Sequence, residues 1–177
     1  GLERLASAAA VLRVHGGADL YNHLNAWACA ALVAGRPRDA RHRARAARAG
    51  FGELEFRPGV ASTSVWLAIG EAMCGSKDEL RGATRSAVAA CLAAGSERAH
   101  LEAACALAWW YRDTDPRLSA ALRETVLAHP EPIAELRALV QPLPELEGGE
   151  PLSSDGLFDL LLRVDGTQSL EAPPLHA

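Results

Sequence analysis

The feature that most constrains the fold is the spacing of glycine, proline and helix-capping residues along an alanine-rich chain. Alanine has the highest helix propensity, whereas glycine and proline end helices, so each stretch between two breakers predicts one helix. Asp19 and Asp115 are expected to cap helices, and Ser76 with Glu79 matches a capping box. Residues 50–62 hold three glycines and a proline and predict a loop with a short extended piece. The predicted helices span about residues 3–14, 20–34, 37–50, 63–74, 76–94, 97–112, 116–129 and 132–140.

The composition changes after residue 141. Residues 142–177 contain five of the ten prolines and seven acids against one arginine, around an apolar stretch from Leu157 to Val164. We therefore divide the chain into a helical domain, 1–141, and an acidic, partly irregular tail, 142–177, with one short amphipathic element. The tail is either a solvated terminus or a segment that docks on the chain's own helices or on a partner.

The helices form hairpins that recur along the chain. Their turns fall at Gly35, Gly75 and Asp113, which are 40 (75 − 35) and 38 (113 − 75) residues apart. Periods of this size are typical of stacked helical repeats, in which one unit alone cannot bury its apolar face. The pattern predicts an all-α fold built as a stack of antiparallel helical hairpins, with about seven to nine helices.

The first unit, AWACAALVAGRPRDARHRARAA, resembles a tetratricopeptide repeat. Gly35 closes its first helix, and Ala40, Ala44 and Ala47 supply the small residues at which the second helix packs on the first. The resemblance covers about residues 20–130 and departs from the family in its period, which is about 34 residues in that family, and in having Leu or Ala at most large-aromatic positions. Repeats near 40 residues also resemble the helical arrays of bacterial LuxR-type activators and signalling ATPases. The resemblance implies a right-handed stack that binds partners on a concave face, and no chemistry.

The repeat register places one set of side chains on that concave face. Aromatic side chains offer contact area and amides can bond to a peptide backbone, so we expect an extended peptide as the ligand. The alternative is that the aromatic residues belong to the core between helices. The family's carboxylate clamp is not implied, because Cys29 follows Asn25 and the clamp lysine is missing. The predicted groove residues are Asn22, Asn25, Trp66, Met73, His100, Trp110 and Tyr111, together with Cys29, Val65, Ile69 and Leu107.

Arginine is concentrated in the first third of the chain. Residues 1–60 carry nine arginines and five acids (+4), and the remainder carries nine basic residues and seventeen acids (−8). This balance disfavours nucleic-acid binding along the whole chain but leaves one basic face on the third predicted helix. That face could bind phosphates or an acidic segment, including the chain's own tail in an autoinhibitory arrangement, or it could be a solvated helix face. The basic face consists of Arg38, Arg41, Arg45 and Arg48, with Arg36, His42 and Arg43 beside it.

Catalytic and metal-binding signatures are missing from the sequence. It has no HExxH, no glycine-rich phosphate loop and no GxSxG, and its six histidines are scattered. The four cysteines show no CxxC spacing and are interpreted as buried free thiols. Glu71 and His100 could converge in the fold with Cys74, Cys91 and Cys105, but we expect no catalytic residue, cofactor or metal. The cysteines are Cys29, Cys74, Cys91 and Cys105.

The sequence also bears on location and source. No apolar run approaches the ~20 residues of a membrane span, and the first residues hold no hydrophobic signal core, so we expect a cytoplasmic protein without membrane contact. A single lysine, Lys77, among abundant alanine, glycine and arginine is typical of a GC-rich bacterial genome. Because the chain begins at Gly1, it could be a fragment of a longer protein.

Three function classes remain open. The first is a protein- or peptide-binding helical-repeat module, which the resemblance would make the regulatory part of a bacterial signalling or transcription protein. The second is a helical repeat that binds nucleic acid or phosphate through the Arg38–Arg48 face, which steep salt dependence would reveal. The third is a small-molecule sensor or enzyme with a pocket between repeats.

Overall fold

The predicted all-α fold is confirmed. The computed structural model describes residues 17–75, 77–130, 133–146 and 149–166, and this part of the chain contains eight α-helices and no strand. The helices are α1 Ala18–Val33, α2 Pro37–Glu53, α3 Arg57–Cys74, α4 Lys77–Ala94, α5 Glu97–Tyr111, α6 Pro116–Ala128, α7 Ala134–Val140 and α8 Ser154–Gly166.

Two predictions fall outside the described residues. These are the helix at 3–14 and the cap at Ser76. The Asp115 cap is confirmed, because its carboxylate accepts a hydrogen bond from the Leu118 amide at 3.0 Å. The Asp19 cap is wrong: α1 begins at Ala18, two residues before the predicted start, so Asp19 lies inside the first turn, where its charge is favourable near the positive end of the helix dipole.

The predicted loop at 50–62 is also wrong, because most of it is helical. α2 continues to Glu53 and α3 begins at Arg57, which leaves only three residues between the helices. Pro58 lies in the first turn of α3, where its missing N–H has no partner to lose. The proline therefore starts a helix here.

Two glycines in this stretch allow side chains to approach the backbone closely. A Cβ atom on Gly50 would lie 2.1 Å from the Tyr21 ring, and one on Gly59 would lie 2.5 Å from the Phe51 ring. Both distances are far shorter than carbon atoms can approach, so only glycine fits. These residues shape a small apolar cluster at one end of the protein, in which Phe51 is buried. Their role in packing explains why they do not end the helices.

The first six helices form three consecutive hairpins: α1 with α2, α3 with α4, and α5 with α6. α3 contacts both α1 and α5, so the first helices of the three hairpins form one layer. α2 also contacts α3, and α4 also contacts α5, which joins each hairpin to the next. The short helix α7 lies against α1, α5 and α6. It therefore bridges α1 and α5, which lie on either side of α3 in the layer.

The amphipathic element predicted within 142–177 is α8, and it packs on the chain's own helices. It contacts α4 and α5 and buries four apolar side chains at one-turn spacing. The preceding segment is fastened to α6 by two contacts. The Leu152 amide donates to Thr125 Oγ1 at 2.8 Å, and Arg123 bonds to Glu145 at 2.6 Å. The buried residues of α8 are Leu157, Leu160, Leu161 and Val164.

Two of the helix ends share one turn geometry. After α1, the Arg36 amide donates to Ala31 O at 2.8 Å, and after α2 the Phe56 amide donates to Phe51 O at 2.9 Å. This six-residue bond is the Schellman motif, which needs one residue in the left-handed conformation. Gly35 fills that position after α1 (φ 67°), but after α2 it is filled by Glu55 (φ 53°).

The unusual conformation of Glu55 predicts a stabilising substitution. A left-handed residue with a side chain costs about 1–2 kcal/mol, and the extra chain entropy of glycine offsets part of the gain. Glu55→Gly should therefore raise the free energy of unfolding by about 0.5–1 kcal/mol in urea denaturation. Gly35→Ala, at the equivalent position of the other motif, should lower it by about 1 kcal/mol. If both substitutions changed the free energy of unfolding by the same amount in the same direction, Glu55 and Gly35 would not occupy equivalent left-handed positions.

A second pair of variants separates close packing from helix propensity. Gly59→Ala places a methyl group against the buried Phe51 ring and should lower the free energy of unfolding by about 1–3 kcal/mol. Gly52→Ala meets nothing within 4 Å in the same region. It should raise the stability by up to about 1 kcal/mol, because alanine is the better helix former. Thermal unfolding of both variants tests the prediction, and a stable Gly59→Ala protein would disprove the packing argument.

Candidate functional site

A pocket of about 620 Å³ lies where α1, α3, α5 and α7 meet. Its walls are built mostly from small side chains, with alanines one helical turn apart on both α1 and α7. Because alanine leaves the space beside a helix unfilled, the two helices bound a cavity where larger residues would have closed it. The lining residues are Asn25, Ala26, Cys29, Ala30, Val33, Trp66, Arg98, Ala134, Glu135 and Ala138.

One hydrogen bond positions the aromatic side of this pocket. The Trp66 indole N–H donates to Asn25 Oδ1 at 2.8 Å. Trp66 is buried apart from 3% of its surface, whereas Asn25 is half-buried. With its oxygen occupied by Trp66, the Asn25 amide is oriented and its NH₂ group remains as a donor. A fixed indole at the pocket wall can contact an apolar side chain, and the amide donor beside it can bond a carbonyl oxygen.

A second polar residue of the pocket, Arg98, forms an ion pair with a buried carboxylate. Arg98 Nε donates to Glu102 Oε1 at 3.0 Å, and the Ser62 hydroxyl donates to Glu102 Oε2 at 2.7 Å. Glu102 is only 1% exposed, whereas the Arg98 side chain is 59% exposed. Burial raises the pKa of Glu102 above its ordinary value of 4.5, and the bonds from Ser62 and Arg98 oppose that shift. Within the described residues, the terminal nitrogens of Arg98 have no hydrogen-bond partner and remain as donors at the pocket.

Buried thiols lie in the same part of the core. Burial raises the pKa of Cys29 to about 12, and the nearby Glu135 and Glu102 add to the shift. Burial likewise raises the pKa values of Cys91 and Cys105. These thiols stay protonated at neutral pH and act as small apolar residues. All four cysteines are free, and Cys74 alone among them is exposed.

The structure brings together only part of the predicted groove. Asn25 and Trp66 share the pocket with Cys29, but Tyr111 is fully buried and its hydroxyl oxygen has no hydrogen-bond partner among the residues that the structure describes. Met73 and Trp110 are half-buried and pack on the core, and Asn22 is exposed on α1. His100 lies in a different pocket, next to Phe158. Trp66 and Tyr111 belong to the core cluster, as the alternative for the aromatic residues predicts, and Val65, Ile69 and Leu107 are buried in the same cluster.

The predicted basic face is partly neutralised by α3. Arg41 Nε and an Arg45 nitrogen lie 2.8 and 3.1 Å from the same oxygen of Glu71, a residue that is 4% exposed. Arg38 and Arg48, at the two ends of the face, have no ion-pair partner in the described part of the chain. The acids that pair with α2 within the described residues come from α2, α3 and α4, and the predicted contact with the acidic tail is not among them. These acids are Asp39, Glu71 and Glu79.

A second pocket, of about 540 Å³, lies between α5, α6, α8 and the segment before α8. His129 Nε2 lies 3.1 Å from Glu97 Oε1 at its edge, and His100 also lines it. Within the described residues, no three histidine, cysteine or carboxylate side chains are grouped closely enough to hold a metal ion. The same part of the chain contains no helix that is long and apolar enough to cross a membrane.

Comparison with protein-family models, with curated proteins and with solved structures gives no significant match. The resemblance to tetratricopeptide repeats therefore remains a prediction from the residues quoted above.

The buried carboxylate predicts a pH dependence of stability. Because its folded pKa is raised, the folded state holds the Glu102 proton more tightly than the unfolded chain does, and stability falls as pH rises from 4.5 through the folded pKa. Glu102→Gln cannot ionise, so its unfolding free energy relative to the native protein should increase over that range. Urea denaturation between pH 4.5 and 7 measures the difference. A difference that stays constant over this pH range would show that Glu102 has an ordinary pKa.

Proposed function

We propose that the chain is a binding module that holds a short segment of another protein in the pocket between α1, α3, α5 and α7. The observation that carries the proposal is the chemistry of this pocket: apolar walls, one fixed aromatic face and a few oriented polar groups. That combination is typical of sites that bind ligands. The regulatory and bacterial setting rests on the composition and the repeat resemblance alone.

The size of the pocket favours a peptide segment over a single side chain. An apolar cavity of about 150 Å³ already accommodates a benzene-sized group. A pocket of about 620 Å³ therefore has room for several side chains of a peptide. The exposed Val33, with half of its surface in contact with solvent, extends the apolar surface from the pocket's wall. A partner that covers Val33 and inserts side chains beside Trp66 would bury this surface and gain hydrophobic stabilisation.

The two alternatives receive less support. Arg41 and Arg45 already share a buried carboxylate, so a phosphate would have to compete with Glu71 for them. Phosphate binding would then depend on Arg38 and Arg48. A small-molecule sensor could use the second pocket, but four of the six polar residues that line it are bonded within the chain. Thr125 accepts from Leu152, Ser153 accepts from Gly156, and His129 pairs with Glu97.

Filling the pocket should abolish peptide binding. We expect a displayed library of random peptides to yield sequences that bind the native chain. Their affinity should drop at least tenfold with Ala30→Trp, because the indole occupies the space between α1 and α7. Ala46→Trp, an exposed position on α2, makes the same chemical change away from the pocket and should leave binding intact.

Three results would count against the proposal. The first is equal peptide binding by the native chain and by an Ala30→Trp protein whose helical content and melting temperature are unchanged. The second is that the native chain retains no peptide. The third is that it binds double-stranded DNA instead. DNA binding that falls steeply with salt and is lost in the Arg38→Glu/Arg48→Glu protein would establish the basic-face alternative.

A further inference from the structure

The charges around the pocket between α1, α3, α5 and α7 are not balanced. Arg98 and Glu135 are the two residues with ionisable side chains of unit charge at neutral pH that line it. No ion pair joins them, and Arg98 is paired instead with Glu102. Glu135, in the first turn of α7, is exposed and has no ion-pair partner within the described residues. The unmatched charge at the pocket is therefore negative.

A charged ligand group would affect the stability of the protein differently at Arg98 and at Glu135. Arg98 neutralises a carboxylate that is almost completely buried, so a ligand acid that attracted Arg98 away would leave Glu102 without its partner in the core. Loss of one partner of a buried pair is strongly destabilising. Glu135 is in contact with solvent and can accept a cation at no such cost. A basic ligand group is thus favoured over an acidic one.

We infer that the segment bound in this pocket carries a bulky apolar side chain and, beside it, a lysine or arginine that pairs with Glu135. The apolar side chain lies between the alanine-lined walls of α1 and α7, against the Trp66 ring. The basic side chain crosses the alanine surface of α7 to reach the carboxylate, with its aliphatic part covering Ala134 or Ala138. This inference rests on the proposed function, because it specifies the ligand of the same pocket.

Charge reversal at Glu135 tests the inference. Random peptides displayed on phage are selected in parallel on the native chain, on Glu135→Lys and on Glu53→Lys. Glu53 is an exposed acid on α2, so it provides the same change of charge away from the pocket. Peptides from the native chain should be enriched in lysine or arginine next to a large apolar residue. They should bind Glu135→Lys about tenfold more weakly, since an attraction becomes a repulsion, and bind Glu53→Lys with unchanged affinity.

The selection on Glu135→Lys gives the complementary result. Its peptides should carry aspartate or glutamate at the place of the basic residue, and raising the salt concentration should reduce the preference of both sets. Peptides that lose affinity with Ala30→Trp but bind the native chain and Glu135→Lys equally would overturn the charge inference and leave the proposed function standing. Peptides that are insensitive to Ala30→Trp would overturn both.

Discussion

The close approach of helices through small side chains is the constraint on which the rest of the structure depends. Ala28 and Ala31 on α1, and Ala40, Ala44 and Ala47 on α2, are fully buried. Neighbouring helices that meet through alanine and glycine bring their backbones close together and leave little room for additional volume. Between α1 and α7 the same kind of residue has the opposite effect. The alanines of the two helices carry no large side chain to fill the space, and a pocket remains. Tight core and open pocket thus arise from one feature of the composition.

Polar side chains in the interior form hydrogen bonds between neighbouring helices. Trp66 of α3 bonds to Asn25 of α1, and Ser62 of α3 bonds to Glu102 of α5. Each bond joins adjacent members of the layer formed by α1, α3 and α5. The first lies in the wall of the pocket, and the second involves Glu102, which also binds the pocket residue Arg98. A buried polar group that loses its partner is costly, so these bonds favour one arrangement of the three helices over others of similar apolar burial. The geometry of the candidate site and the packing of the layer therefore depend on the same contacts.

α7 and α8 change what a stack of three hairpins would present to a partner. The Trp109 indole N–H donates to Leu139 O at 3.0 Å, and this bond helps to hold α7 across α5. α7 occupies part of the side on which an open groove was expected, and the accessible remainder is the pocket beside α1. α8 covers apolar surface of α4 and α5 while leaving Phe158 and Leu162 partly exposed. The binding surface that we propose is consequently much smaller than a full concave face.

The sequence by itself determined the helical class, most helix boundaries and the hairpin order, because these depend on local energies. Asp115 accepts a bond from an amide three residues away, and Pro116 suits a first turn wherever the chain goes next. Local signals misled most where a residue had a tertiary role: Gly50 and Gly59 resemble helix breakers, but each accommodates an aromatic ring, of Tyr21 and Phe51, against the backbone.

The tertiary structure decided which side chains meet. Asn25 and Trp66 could be placed on one face from the repeat register. Tyr111 could not be assigned to core or surface, because the last nine residues of α5, 103–111, are all apolar and leave that part of the helix without a unique buried side. Arg98 was missed although its spacing from Glu102 is a visible signal, since the same spacing usually marks a solvated ion pair. Glu135 reaches the pocket only because α7 packs against α1. These helices are more than a hundred residues apart in the chain, so no local sequence pattern reflects the energy of their contact.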